Sequence, residues 1–203
     1  MTAVDLRAET RAFGRARLRD VALDAAREVV LDRGWGAVRM SAIATQVGIS
    51  RQSLHGEFGT KDELGNALIM REMAEFFAGV AARLEEHPGD LAAGVSEAVQ
   101  YMVTAARDNP LLETIITRAA AGGDVSLLSL LTVRGEALLG TATALVGDWV
   151  SGQWPSADPA DVRLMVESVV RLCQSHILTP TKDPAEVGAD LARVACRCLP
   201  LPD

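Results

Sequence analysis

The chain has 203 residues, 49% of them hydrophobic, 23% charged and 4% aromatic, a balance that excludes a disordered or low-complexity polypeptide. Its formal net charge of −7 hides a split. Residues 1–61 carry ten Arg or Lys against seven Asp or Glu, while residues 62–203 carry ten against twenty, which fits a nucleic-acid-facing head on an acidic body. Asp5, Arg7, Glu9 and Arg11 interrupt any apolar leader. The most apolar window, Leu127 to Trp149, contains Arg134, Glu136 and Asp148, so no membrane partner is expected. An odd number of cysteines, Cys173, Cys196 and Cys198, suits a reducing cytoplasm.

In chain order, residues 1–14 read as a flexible basic arm, with Arg7 and Arg11 leading into Arg15, Arg17 and Arg19. A first helix fits Arg15 to Asp32, with Leu18, Val21, Ala22, Ala25, Val29 and Val30 on one stripe, and Gly34 ends it. A second, short helix begins around Arg39 to Ser41 and carries Met40, Ile43, Ala44 and Val47 inward before Gly48. Ser50 is placed to cap a third short helix, Arg51 to Phe58, which Gly59 closes. Thr60-Lys61-Asp62-Glu63 has the form of a capping box and opens a helix to about Glu86.

His87-Pro88-Gly89 breaks the chain, and Asp90 can cap a helix to about Arg107. Asn109-Pro110 precedes a shorter helix that stops before Gly122-Gly123, and a long one follows from Ser126 to Gly152. Two further helices start alike, at Asp158-Pro159 and Asp183-Pro184, with Asp at the cap, Pro in the first turn and an acid behind it. No segment reads as a strand. The expected fold is all-α, about nine helices: a three-helix helix-turn-helix head over residues 15–61 and a ligand-binding and dimerisation body over residues 62–203.

The stretch from Met40 to Leu64 carries the chemistry. Two short helices meet through Gly48-Ile49-Ser50, with Ala44 small enough to let them approach and Gly48 free to take a positive φ. Leu54 and Phe58 anchor the third helix on one side, so its other side presents Arg51, Gln52, Ser53 and His55. These are donors and acceptors suited to base edges and phosphates. In Gly34-Trp35, Met40, Ile43-Ala44, Val47-Gly48-Ile49-Ser50, Leu54, Phe58, Lys61 and Leu64 the chain resembles the TetR family of bacterial transcriptional regulators, over about residues 15–75. Beyond that the resemblance is one of helical layout only.

The resemblance implies that Arg51, Gln52 and Ser53 lie in the major groove, with Ser50 at the start of that helix and His55 on a phosphate or base edge. It implies that Arg39 and Ser41 touch the DNA backbone and that Lys61 reaches a phosphate from the first turn of the fourth helix. The chain departs from the family in three places: His55 stands where Tyr is usual, Gly56 weakens the recognition helix by about 1 kcal/mol, and Glu57 puts an anion near the DNA. The implied function is a ligand-responsive repressor released from a palindromic operator in double-stranded DNA. The rival reading is a helical scaffold that keeps the head fold without binding DNA.

No catalytic, cofactor or metal site is expected. His55, His87 and His176 have no metal-ligand spacing, no phosphate loop or nucleophile motif occurs, and Cys196 and Cys198 would point about 200° apart on a helix. Met165, Val166, Val169, Leu172, Cys173 and Ile177, with Leu191, Val194 and Cys198, form a stripe broad enough to pair with a symmetry mate in a two-fold homodimer. A pocket for a hydrophobic small molecule, of the lipid or acyl type or, as the competing choice, a multidrug-type hydrophobe, is expected among Tyr101, Met102, Leu112, Ile115, Ile116, Leu131, Leu138 and Trp149. Arg118 or Arg134 would meet its acidic head.

Overall fold

The computed structural model describes residues 3–114 and 135–200. Its elements are α1 (Ala3–Arg33), a 3-10 turn (Trp35–Ala37), α2 (Met40–Val47), α3 (Arg51–Phe58), α4 (Lys61–Glu85), α5 (Leu91–Arg107), α6 (Gly135–Gln153), α7 (Pro159–Leu178) and α8 (Pro184–Cys198). Residues 110–114 are also helical, and no strand occurs among the described residues. The all-α expectation holds. Arg118, Arg134 and the first third of the long helix foreseen from Ser126 to Gly152 lie outside the described residues.

Two compact units divide the chain: residues 3–72 with 110–114, and residues 73–109 with 135–200. In the first, α1 buries Ala22, Leu23, Ala25, Ala26 and Val30, and the short elements add Trp35, Val38, Met40, Ile43, Ala44, Leu54 and Phe58. The flexible arm expected over residues 1–14 is instead helical from Ala3, continuous with α1. Ala3, Leu6, Arg7, Ala8, Glu9, Arg11 and Ala12 are strong helix formers and outnumber the weaker Val4, Asp5, Thr10, Phe13 and Gly14.

The division between units also falls within α4 and not at its start. The first three turns of α4 belong to the head because Leu64, Leu68 and Ile69 are buried there. Two ion pairs to α1 add to this: Arg71 donates to Asp24 at 2.8 Å and Arg27 to Glu72 at 2.9 Å.

The second unit has one core, drawn from Val80 and Leu84 of α4, Leu91, Val95, Val99 and Met102 of α5, Val146 and Val150 of α6, and the inner faces of α7 and α8. Helices α5 and α8 approach closely at Gly188, where a Cβ would sit 2.6 Å from the Ser96 carbonyl oxygen. Each boundary read from sequence carries its cap: Asp90 accepts from the Ala93 N–H (2.9 Å), Asp158 from Ala160 (2.7 Å) and Asp183 from Glu186 (3.0 Å). Each such bond satisfies a backbone donor that the helix itself leaves open.

Candidate nucleic-acid interface

The turn between α2 and α3 is built by Gly48, whose φ of 79° and ψ of 29° are left-handed. The Ile49 N–H reaches back to the Ala44 carbonyl at 2.9 Å, which closes the helix end in the way a left-handed glycine permits. Ile49 is half-buried beneath the turn. Ser50 then caps α3: its Oγ accepts from the Ser53 N–H at 2.9 Å and shares a 2.8 Å hydrogen bond with the Ser53 hydroxyl.

Leu54 and Phe58 are buried one turn apart, so the rest of α3 turns outward, and Arg51, Gln52, Ser53 and His55 are all exposed. Four predicted contact residues thus share one eight-residue helix face, and Ser50 stands at its start. Ser41 is exposed on α2. Arg39 is exposed as well, but its guanidinium curls back to the carbonyls of Gly36 and Val38, at 2.5 and 3.0 Å.

Lys61 makes a contact within the head that the sequence does not show. Its ammonium donates to the Trp35 carbonyl at 2.8 Å and lies 4.9 Å from the centre of the Trp35 ring. An ammonium has three donors, so this bond positions the head of α4 and does not by itself consume the group. Glu57 is less adverse than expected, because Arg19 of α1 pairs with it at 3.3 Å and stacks 4.8 Å from the Phe58 ring. Arg19 and Trp35 are the residues that sequence reasoning passed over. Trp35 was noted only as part of a pattern, and Arg19 only as one basic residue among five.

The capping box closes as expected. The Glu63 N–H donates to the Thr60 Oγ1 at 3.2 Å, while the Thr60 N–H and hydroxyl both donate to the Glu63 carboxylate, at 2.7 and 2.9 Å. These bonds, the backbone one first, hold the Glu63 carboxyl below its ordinary pKa of 4.5.

In the second unit, an apolar cavity of about 170 Å³ is lined by Phe76, Phe77, Met102, Leu138, Leu139, Ala142, Val170, Cys173, Gln174 and Ile177. Met102 and Leu138 were expected there. Tyr101 instead packs against Phe76, with ring centres 6.0 Å apart, and under Arg83. Trp149 lies edge-on to Trp154 at 5.5 Å. Leu112 is half-buried in the first unit. Ile115, Ile116, Arg118, Leu131 and Arg134 fall outside the described residues. Burial pushes the Cys173 thiol up to about 12, so it lines the cavity as a neutral apolar group.

The dimer stripe requires correction. Met165, Val166, Val169, Cys173 and Leu191 are buried in the core of their own chain and so cannot meet a symmetry mate. Of the residues named, Leu172 is exposed, and Ile177, Val194 and Cys198 are half-buried. The stripe is broad because α7 has two apolar faces. The outward one carries Leu164, Leu172 and Leu178, exposed by 58, 42 and 73%.

Among the described residues, no group of three His, Cys, Asp or Glu side chains could hold a metal, and no helix is long and apolar enough to cross a membrane.

Comparison with known proteins bears on both units. Residues 22–68 match the family described as bacterial regulatory proteins, tetR family, and residues 90–197 match bacterial tetracyclin repressor, C-terminal domain. The HTH-type transcriptional regulator AlkX of Mycobacterium tuberculosis is 29% identical over 180 residues, covering 89% of this chain and 84% of that protein. The HTH-type transcriptional regulator RutR of Escherichia coli K12 is 26% identical over 145 residues, 71% of this chain and 68% of its own. Among solved structures, the TetR family repressor AlkX from Dietzia sp. strain DQ12-45-1b, implicated in biodegradation of n-alkanes, superposes with a TM-score of 0.65 at 26% identity. That match covers 89% of this chain and 94% of that one.

The capping box predicts a pH signature. A carboxyl whose folded pKa is depressed contributes stability above its unfolded value and loses it as the pH falls through the folded value. The urea midpoint of Glu63→Gln should therefore lie below that of the parent at pH 7, and the gap should shrink steadily below pH 4.5. A gap independent of pH would show that the carboxylate charge plays no part in the cap.

Proposed function

Because the chain belongs to the TetR family of bacterial regulatory proteins, we propose that it is a repressor released from a two-fold operator by a slender apolar effector. Family membership makes it a helix-turn-helix transcription regulator that binds DNA and not an enzyme. One observation supports the reading of its DNA contacts. The inner side of α3 is fixed by Leu54 and Phe58, which leaves Arg51, Gln52, Ser53 and His55 together on the outside. Arg51 and Gln52 are assigned to base edges, Ser41, Arg39 and Lys61 to phosphates, and Ser50 and Ser53 to the helix start that faces the DNA.

The lining of the cavity supports the effector class. Of its ten described lining residues seven are hydrocarbon or aromatic, Met102 is a thioether, Cys173 is neutral, and the Gln174 amide is the one strongly polar group among them. At about 170 Å³ it is smaller than pockets that enclose drug-sized ligands, which favours a narrow chain over a fused ring system. The Dietzia repressor, implicated in n-alkane biodegradation, points to the same chemistry. Helix α4 supplies Lys61 to the head and Phe76 and Phe77 to the cavity, so an effector that displaces those rings acts on the helix that carries a DNA contact. By linkage, effector and operator then weaken each other's binding equally.

The outward face of α7, with Leu164, Leu172 and Leu178, is proposed as the centre of the two-fold contact. Ile177, Val194 and Cys198 would lie beside it. A two-fold dimer gives a near-palindromic operator.

Three measurements test these assignments. On a duplex selected by the protein from random sequence, Arg51→Ala should cost about 1–3 kcal/mol and relax preference at one base pair. Lys61→Ala should weaken binding to selected and random duplexes alike and flatten the salt slope by about one unit. Thermal melting of Lys61→Ala, which also loses the Trp35 bond, separates contact from fold.

Titration of the complex with long-chain acyl compounds or n-alkanes should release the DNA, whereas planar aromatic drugs should not. Release by the aromatics alone would reverse the effector assignment. Leu164→Glu with Leu172→Glu should give a monomer by light scattering at micromolar concentration, and an unchanged dimer would move the interface elsewhere.

A further inference from the structure

The cavity of the second unit is not uniform along its depth. Met102 of α5 and Val170 and Cys173 of α7 line it as buried residues, while Phe76, Gln174 and Ile177 line it half-buried. Positions 170, 173, 174 and 177 fall on one face of α7, so Gln174 stands beside Cys173 at the more open end of that lining. Its amide makes no hydrogen bond among the described residues. An apolar side chain at this position would hold a plain hydrocarbon better. A hydrocarbon that fills the cavity strips water from the amide and gives it no partner in return.

The amide restricts what kind of head the bound chain can carry. Its NH2 group donates and its carbonyl accepts, so a hydroxyl, which does both, can pair with it whichever way the amide turns. A carboxylate only accepts, and removing its charge from water requires a cation. The described lining residues include none, and Cys173 is neutral.

We propose that Gln174 determines specificity for the effector's head, and that the effector is a long chain ending in an uncharged hydroxyl, a fatty alcohol. The chain enters tail first, towards Met102 and Cys173, and leaves its hydroxyl at Gln174. The inference rests on the apolar-effector reading above and sharpens it. Hydrocarbon burial supplies the shift between states, while one hydrogen bond chooses among chains of equal length.

The test is equilibrium dialysis of the full-length, DNA-free chain against radiolabelled 1-octanol, n-nonane and octanoate at neutral pH. In n-nonane a methyl stands where 1-octanol has its hydroxyl, so the two fill nearly the same space. Gln174→Met keeps the length of the side chain and removes its hydrogen bonds, whereas Gln174→Glu keeps an acceptor. The quantity read is the ratio of the 1-octanol and n-nonane affinities, because the hydration of the free ligands cancels when proteins are compared. Gln174→Met should lower that ratio about threefold to tenfold. Gln174→Glu should hold it above the Gln174→Met value and weaken octanoate, since an anion accepts from a hydroxyl and repels a carboxylate.

An unchanged ratio for Gln174→Met, while 1-octanol and n-nonane still bind and still release the DNA, overturns this proposal and leaves the apolar-effector reading standing. A larger loss for octanoate than for 1-octanol in that variant overturns it in favour of an anionic head. If 1-octanol and octanoate respond alike to Gln174→Glu, the head is not read there, which decides the matter even where Gln174→Met melts early. Failure of all three ligands to bind the parent overturns the effector reading and this one together.

Discussion

An eight-residue helix is not stable in water by itself, because forming its first turn costs more order than its few hydrogen bonds return. Helix α3 exists only because Leu54 and Phe58 are buried, at 0 and 5% exposure, and because Ser50 and Gly59 close its two ends. Those same two side chains set its rotation about its own axis. Rotation by one residue, about 100°, would carry Arg51 and Gln52 off the outward side and bring Leu54 towards water. The contact chemistry of the head therefore depends on apolar burial on the opposite side of the helix. The αL turn at Gly48 and the half-buried Ile49 serve the same end, because they fix the direction from which α3 leaves α2.

A chain of net charge −7 that binds a polyanion presents an electrostatic question. At physiological salt, exposed charges act over about 8 Å, so the local make-up of the contacting surface matters more than the chain total. Glu57 is the acid that would cost most, being on the recognition helix itself. The Arg19 pair sets a cation beside it at 3.3 Å. With Arg19 some 43% exposed, such a pair adds little to stability, and its effect is to leave the end of α3 near neutral. Arg19 also draws α1 against Phe58, so one side chain both balances a charge and sets where the basic helix runs.

What could be read from the sequence is what local rules decide. The caps at Ser50, Asp90, Asp158 and Asp183 and the Thr60–Glu63 box depend on residues two or three positions apart, and all of them close in the structure. The helix-turn-helix was legible because burial at Ile43, Ala44, Leu54 and Phe58 leaves a periodic trace over a short span. The bond from Lys61 to the Trp35 carbonyl spans 26 positions, and no spacing rule foretells it.

The stripe on α7 misled for a related reason. Periodicity marks a face as apolar without saying what covers it, and Met165, Val169 and Cys173 turn out to be covered by their own chain while Leu164, Leu172 and Leu178 are not. The start of α1 was misread in the opposite sense. A run rich in charge reads as an arm, although Ala, Leu, Arg and Glu are among the residues that most favour helix.

The apolar lining of the second unit also bounds what an effector can be. Moving a two-state protein from one part in a hundred to ninety-nine requires about 5.5 kcal/mol of preference for one state. Hydrogen bonds can supply little of that here, because Gln174 is the one strongly polar group among the described lining residues, the others being hydrocarbon, a thioether and a neutral thiol. Hydrocarbon burial returns about 0.8 kcal/mol per methylene, so about seven methylenes must be buried in one state and not in the other. A short alcohol or a lone ring atom cluster cannot meet that requirement, and a chain of eight or more carbons can. Discrimination between neighbouring chain lengths is then weak, since one methylene in an apolar pocket changes affinity by only about 1–3 kcal/mol. Under the effector assignment proposed above, a regulator built on such a cavity would answer to a class of long apolar molecules, graded by length, and not to a single compound.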